Sequence, residues 1–252
     1  MIETFGVTKR YGETLVVDDV TLAIPKGGIT SIIGPNGAGK STLLSMIARL
    51  AGLDAGRVSV GGLDVETTAG SVLARNLAIL RQDNHLTARL TVRDLVSFGR
   101  YPYSRGRPTP EDRAHVERAL AYLSLGDLAH RFLDELSGGQ RQRAFVAMAL
   151  CQDTDYVLLD EPLNNLDMHH AAAMMRLWRR ACDELGKTVV IVLHDINFAS
   201  WHSDHIVAMR GGRVFRQGEP SVIIDEAVLG EIYTMPIAVH EIAGRRVCLF
   251  YE

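Results

Sequence analysis

Gly34-Pro35-Asn36-Gly37-Ala38-Gly39-Lys40-Ser41-Thr42 is the stretch from which the rest of the chain reads. An apolar run, residues 29–33, precedes it, and a helical pattern with Leu43, Leu44, Ile47 and Leu50 on one face follows it. Strand, glycine-rich turn and helix together make the context of a phosphate-binding loop. Glycines let the backbone curl so that successive N–H groups point inward, and a helix N-terminus adds positive potential. Lys40 then reaches the β- and γ-phosphates, and the Ser41 hydroxyl can ligate Mg²⁺. A turn that contains Lys-Ser by chance is the bland alternative, and the flanking strand and helix argue against it.

The 252 residues leave room for one large domain or a core with a subdomain, and a hydrophobic content of 47% is ample for a core. A net charge of −3 argues against a nucleic-acid binder, which needs a strongly basic surface. The three cysteines, Cys151, Cys182 and Cys248, lie far apart without metal-ligand spacing. They predict reduced, buried or semi-buried thiols in a cytoplasmic protein. The start, Met1-Ile2-Glu3-Thr4-Phe5, lacks the basic and apolar segments of a signal peptide. The longest purely aliphatic run, residues 189–193, is strand-sized, so a membrane role is expected to come through a partner chain.

Around the loop the chain reads in order. Residues 1–33 predict short strands punctuated at Tyr11-Gly12 and at residues 25–28. Tyr11 fits either a stacking face for adenine or a partly buried strand-end tyrosine. A helix is expected over 41–51, and a strand over 76–80 whose carboxyl end leads to Gln82. A glutamine there can face the crevice of an open α/β sheet and join a Mg²⁺ shell or hold a water; a solvated loop glutamine looks the same. From residue 90 to 152 the pattern turns helical, with a helix from Thr91, a loop over 100–110 rich in tyrosine, proline and arginine, and a helix from Thr109-Pro110-Glu111-Asp112 to about Leu125. The loop reads as a solvated connector or as a docking surface, and the region as a helical subdomain inserted into an α/β core.

Leu136-Ser137-Gly138-Gly139-Gln140 opens a helix over 139–152 with the spacing of a capping box. The serine hydroxyl and glycine N–H groups also make an anion site. A single copy has no use for a second phosphate site, which hints at a nucleotide bound elsewhere. Tyr156-Val157-Leu158-Leu159-Asp160-Glu161 is an apolar strand ending in paired carboxylates, which are costly to desolvate without a purpose. Asp160 can accept from Mg²⁺-bound water, and Glu161 can polarise an attacking water as general base. Asn164-Asn165-Leu166-Asp167 caps a helix whose Ala171, Met174, Met175, Trp178, Ala181 and Leu185 stripe is read as core, with His169 and His170 at the surface. His194 ends a buried strand and reads as a rim residue or as a donor to the γ-phosphate. Residues 206–216 predict a hairpin around Gly211-Gly212, and the tail, 219–252, mixes a short helix with strands and carries no chemical motif.

In this fixed order the glycine loop, Gln82, residues 136–140, Asp160-Glu161 and His194 resemble the ATP-binding-cassette ATPase family over essentially the whole chain. The resemblance implies an α/β fold: a phosphate-loop, RecA-like core (1–86 and 154–218) with an N-terminal antiparallel β subdomain, an inserted α-helical subdomain (87–153) and a C-terminal tail (219–252). It implies a Walker A motif at 34–42, a Q-loop at Gln82, a signature motif at 136–140, a Walker B motif at 156–161, a D-loop at 164–167, a switch histidine at His194 and an adenine-stacking Tyr11. ATP and Mg²⁺ are the implied ligands, with Ser41, Gln82 and Asp160 at the metal and Glu161, His194, Gln82 and Lys40 in catalysis. It also implies a head-to-tail homodimer in which each ATP lies between Walker A of one copy and Ser137, Gly138, Gly139 and Gln140 of the other. Further implied partners are an integral membrane permease and, indirectly, a periplasmic or lipoprotein substrate-binding protein, but no nucleic acid. The chain would sit at the cytoplasmic face of the membrane.

Residues 97–103, 160–167 and 194–199 are similar to the iron–siderophore importer subgroup, near haem and cobalamin importers and most like petrobactin-type catecholate systems. Leu163 departs from the threonine that many members carry, with no loss of catalysis expected. A module that binds ATP without needing hydrolysis is opposed by the presence of both Glu161 and His194. A member acting on DNA or ribosomes is opposed by the single cassette, the modest insert and the acidic balance.

Overall fold

A computed structural model describes residues 1–81, 88–164 and 166–250. Strands β1 (Ile2–Tyr11) and β2 (Thr14–Ile24) form one long antiparallel hairpin rather than several short strands. Alternate residues of β2, such as Val20, Leu22 and Ile24, are buried, so one face of the ribbon seals the core and the other meets water. β3 (Gly28–Ile33) is buried along nearly its whole length and leads through the glycine loop into α1 (Lys40–Ile47). The helix stops before the expected end because Arg49 takes a positive φ of 56°, which turns Leu50 outward to 54% exposure. β4 (Ala55–Val60) and β5 (Leu63–Asp64) complete the first sheet in the order β2-β1-β4-β5.

After α2 (Gly70–Leu73), β6 (Leu77–Leu80) enters the second sheet. A helical stretch follows: α3 (Val92–Phe98), α4 (Tyr101–Ser104), α5 (Pro110–Tyr122) and α6 (Gly138–Cys151). Capping boxes at Thr91, Thr109 and Ser137 start three of these helices. The remaining elements are β7 (Tyr156–Asp160), α7 (Met168–Leu185), β8 (Thr188–Val192), α8 (Ile196–His202), β9 (His205–Arg210), β10 (Arg213–Gly218), α9 (Pro220–Ile223), α10 (Glu226–Tyr233), β11 (Ala238–Ile242) and β12 (Arg245–Leu249).

The second sheet has the order β10-β9-β3-β8-β7-β6 and is parallel except at its edge strand β10. Side chains of β8 alternate between its two faces: Val189 and Ile191 join the core under α7, while Val190 and Val192 join the core shared with α1 and β2. Trp178 of α7 is fully buried in the first of these. Leu185, expected on the same stripe, is exposed because Gly186 already turns the chain in a left-handed cap.

The segment 100–110 is not simply a loop. It contains α4, and Arg100 is tucked inward with its side chain 5% exposed. Arg100 Nε donates to Asp112 Oδ1 at 3.0 Å, Nη1 donates to the Cys151 carbonyl at 3.0 Å, and the guanidinium lies 3.8 Å from the Tyr103 ring centroid. Asp112 also accepts from the Thr109 backbone, so one buried ion pair fixes the start of α5 against the end of α6. Removing one partner leaves the other charge buried and uncompensated. Arg100→Ala is therefore expected to lower the unfolding free energy by about 3 kcal/mol in urea titration, against less than about 1 kcal/mol if the pair behaved as a surface bridge.

Candidate functional site

The parallel register brings the chemical residues to one edge. Ile32 of β3 and Asp160 of β7 both pair with Val192 of β8, so the glycine loop, Asp160 and the residues after β8 emerge at the same level from the carboxyl ends of adjacent strands. This is where ligands bind in open α/β sheets. The loop needs its glycines. Gly34, Gly37 and Gly39 have φ of 145°, 78° and 91°. A Cβ on Gly34 would run into the Met209 carbonyl, and one on Gly39 would lie 2.5 Å from the Val16 carbonyl. The backbone is thus wedged between β9 and β2.

Lys40 opens α1 and folds back over the loop, its Nζ donating to the Gly34 carbonyl at 2.9 Å and the Pro35 carbonyl at 3.0 Å. Burial pulls its pKa down, while the carboxylates of Glu161 and Asp160 pull it up. Asn36 and Gly37 are exposed at the crest of the loop, Ala38 is buried beneath it, and Ser41 and Thr42 are half-buried in the first turn of α1. Burial raises the pKa of Asp160, opposed first by a hydrogen bond with Ser41. Among the described residues Asp160 Oδ1 is buried with no hydrogen-bond partner. A serine hydroxyl beside a carboxylate with an unused buried oxygen is a hard oxygen donor set, which suits Mg²⁺.

Glu161 sits just past the end of β7 in a left-handed conformation, φ 49°, uncommon for a residue with a side chain and typical of strained functional positions. Its carboxylate is gripped on both oxygens. His194 Nε2 lies 2.7 Å from Oε1, and Asn164 Nδ2 donates to Oε2 at 2.6 Å. The pair sits beside a cavity of about 240 Å³ lined by Leu163, Met168 and Phe198. Asn164 was legible as part of a cap and of the D-loop that the resemblance implies, but not as a partner of Glu161; its place three residues after Glu161, on the far side of a proline turn, was the available signal.

Residues 137–140 stand apart from this edge. Ser137 and Gly138 are exposed at the start of α6, with Ser137 Oγ accepting from the Gln140 N–H and Gln140 Oε1 accepting from the Ser137 N–H. Among the described residues no hydrogen bond joins their side chains to the glycine loop of the same chain. They connect to the Glu161 turn from behind, because the Gln142 amide donates to the Pro162 carbonyl. His170, though exposed, is more than a surface residue: its Nδ1 lies 2.8 Å from Asp167 Oδ1, and its ring fills the space a Cβ on Gly139 would need. Tyr11 ends β1 and is 55% exposed, with Lys9 Nζ 5.6 Å from its ring centroid. Gln82 lies outside the described residues, as does Asn165.

The chain matches the ABC transporter family over residues 17–164. It is 51% identical, over 252 residues and the whole of both chains, to the petrobactin import ATP-binding protein YclP of Bacillus subtilis (strain 168). Identity to the petrobactin import ATP-binding protein FatE of Bacillus anthracis is 50%, covering 95% of this chain and 96% of that one. Among solved structures, the ATP-binding cassette MJ0796, a dimer in a post-hydrolysis state bound to ADP and Pi, superposes with a TM-score of 0.75 at 31% identity, covering 87% of this chain and 99% of that one. The structure of cbiO1 from Clostridium perfringens, part of the ABC transporter complex cbiONQ, gives 0.80 at 28% identity, covering 91% of this chain and 92% of that one.

Lys40→Ala removes the cation that the loop folds around. Its affinity for ATP, measured by equilibrium dialysis, is expected to fall at least about tenfold, as befits loss of a charged hydrogen-bond donor; unchanged affinity would exclude the loop as the phosphate cradle.

Proposed function

Since the chain belongs to the ABC transporter family of ATP-binding proteins, we propose that it is the ATP-hydrolysing subunit that powers import of an iron–siderophore complex through a separate membrane permease. The observation that carries the ATPase chemistry is the Glu161 carboxylate, held between His194 and Asn164 at the edge where the phosphate loop ends. Petrobactin import in the names of full-length relatives at 51% and 50% identity supports the substrate class. Among the described residues no helix is long and apolar enough to cross a membrane, in keeping with a permease on another chain and a place at the cytoplasmic face.

Two copies pair head to tail. The phosphate loop of each, residues 34–42 with Lys40 as its charge, cradles the ATP phosphates, and Tyr11 stacks on the adenine. Ser137, Gly138, Gly139 and Gln140 of the other copy close over the same nucleotide, which gives that exposed helix start its ligand. Ser41 and Asp160, together with Gln82, would hold Mg²⁺, which when bound neutralises phosphate charge. Glu161 takes a proton from the attacking water as general base. His194 orients that carboxylate through its 2.7 Å contact and stands ready to donate to the terminal phosphate. ATP holds the copies together because its full binding free energy is available only in the closed pair. Cleavage replaces one linked group by two mutually repelling anions, and the pair opens. The chain works as a single ATPase domain in which the helical part, residues 87–153, carries this motion to the permease, with Gln82 as the joint.

Glu161→Gln keeps the shape of the side chain and removes its basicity. The variant is expected to bind ATP as the wild type does, to lose steady turnover by at least about a hundredfold, and to elute as an ATP-dependent dimer in gel filtration; turnover near wild type would reassign the base. For the transport role, the chain should copurify with a polytopic permease, and cells lacking it should fail to accumulate radiolabelled ferric petrobactin. Normal uptake in those cells would refute the substrate assignment while leaving the ATPase chemistry standing.

A further inference from the structure

His194 is fixed from both sides along the chain. On one side, the Leu193 N–H donates to the Ile32 carbonyl of β3, so the segment before it is tied to the central sheet. On the other, α8 begins at Ile196 with Asp195 as its cap, accepting from the N–H groups of Asn197 and Phe198. The next turn of α8 faces the tail. Asn197 Oδ1 accepts from the Cys248 N–H at 2.7 Å, and Asn197 Nδ2 donates to the Cys248 carbonyl at 3.2 Å.

One amide thus engages both backbone groups of one residue, as a neighbouring strand would. The geometry is consistent along β12. Cys248 pairs with Val239 and Arg246 with Glu241 across the two-stranded β11–β12 sheet. Residues two apart on a strand present their backbone groups to the same edge. Arg246 accordingly offers its carbonyl to Ser200 Oγ at 2.6 Å, one turn further along α8. Arg246 Nη1 in turn donates to the carbonyls of Ser221 and Ile224, locking the hairpin to α9. Cys248 is fully buried beneath this seam.

We infer that the C-terminal hairpin positions the catalytic histidine, with Asn197 as the positioning residue that transmits its hold to His194. The inference rests on the ATPase reading above. It gives a task to a tail that carries no chemical motif, and to an asparagine whose side chain is hydrogen-bonded to the backbone of Cys248. A loss of about 1 Å in placement near a reacting centre costs up to about a hundredfold in rate, so partial release of one flank should be visible in kcat.

The test uses the full-length chain, with kcat and KM for MgATP and the thermal midpoint measured on each variant. Asn197→Ala is expected to lower kcat about tenfold and to leave KM within about twofold. Ser200→Ala, which removes a hydrogen bond to the same strand one turn farther from His194, is expected to lower the thermal midpoint and leave kcat unchanged. In a His194→Ala background, adding Asn197→Ala should slow the residual turnover no further. Equal kcat losses in the two single variants, a rise in KM with kcat intact, or additive slowing in the double variant would each overturn the inference. Should Asn197→Ala fail to fold, Asn197→Asp tests the same contact: it keeps the acceptor and turns an oxygen on the Cys248 carbonyl, and kcat should fall likewise. No turnover in the wild type would overturn the ATPase reading, and this inference with it; full turnover in both the wild type and Asn197→Ala would overturn this inference alone.

Discussion

Parallel hydrogen-bonding across β3, β8 and β7 is the constraint on which the rest depends. Because Ile32 and Asp160 share Val192 as their partner level, three segments with no sequence proximity leave the sheet at one height. A slip of one residue in β7 would turn Asp160 to the other face of the sheet and point a leucine at Ser41. The buried, β-branched character of β8 holds that register, since both of its faces are packed and neither tolerates exposure. The strained backbone at Glu161 follows from it: the strand ends at Asp160, and the chain must turn at once to bring the next carboxylate back toward His194.

A second organising feature is the linkage behind the site. Gln142 of α6 holds the carbonyl of Pro162, and His170 at the start of α7 packs beneath Gly139 while bonded to Asp167. The helix that begins with residues 137–140 is thereby joined to the turn carrying Glu161 in the same chain. In the proposed head-to-tail pair the two motifs would serve different nucleotides, so this linkage would join each copy's contribution to one nucleotide with its contribution to the other.

Much of the site was legible because its chemistry is local. The glycine loop, the capping box at Ser137 and the paired acids after an apolar strand each announce themselves within a few residues. An α/β core with a helical insert followed from the pattern of strands and helices, while the phosphate-loop, RecA-like class came with the family resemblance. What was not legible depended on partners distant in sequence or on single backbone angles. The burial of Arg100 requires Asp112 and Cys151, which no local pattern joins to it. Leu50 and Leu185 keep helical spacing yet are exposed, because Arg49 turns the chain before Leu50 and α7 reaches its last residue at Leu185, next to the left-handed cap at Gly186. The role of Asn164 appears only once the turn brings it back to Glu161, and the clasp of Asn197 on Cys248 spans 51 positions of sequence.

Cys151, Cys182 and Cys248 are all buried, and burial pushes the first two thiols up to about 12 and the third to about 11. Thiols so protonated and enclosed are poor nucleophiles at neutral pH. The natural chain is therefore a ready background for site-specific labelling: a single cysteine introduced on its surface would take up a maleimide dye or spin label without prior removal of the native ones, so distances between two copies could be followed by fluorescence or paramagnetic resonance in an otherwise unaltered protein.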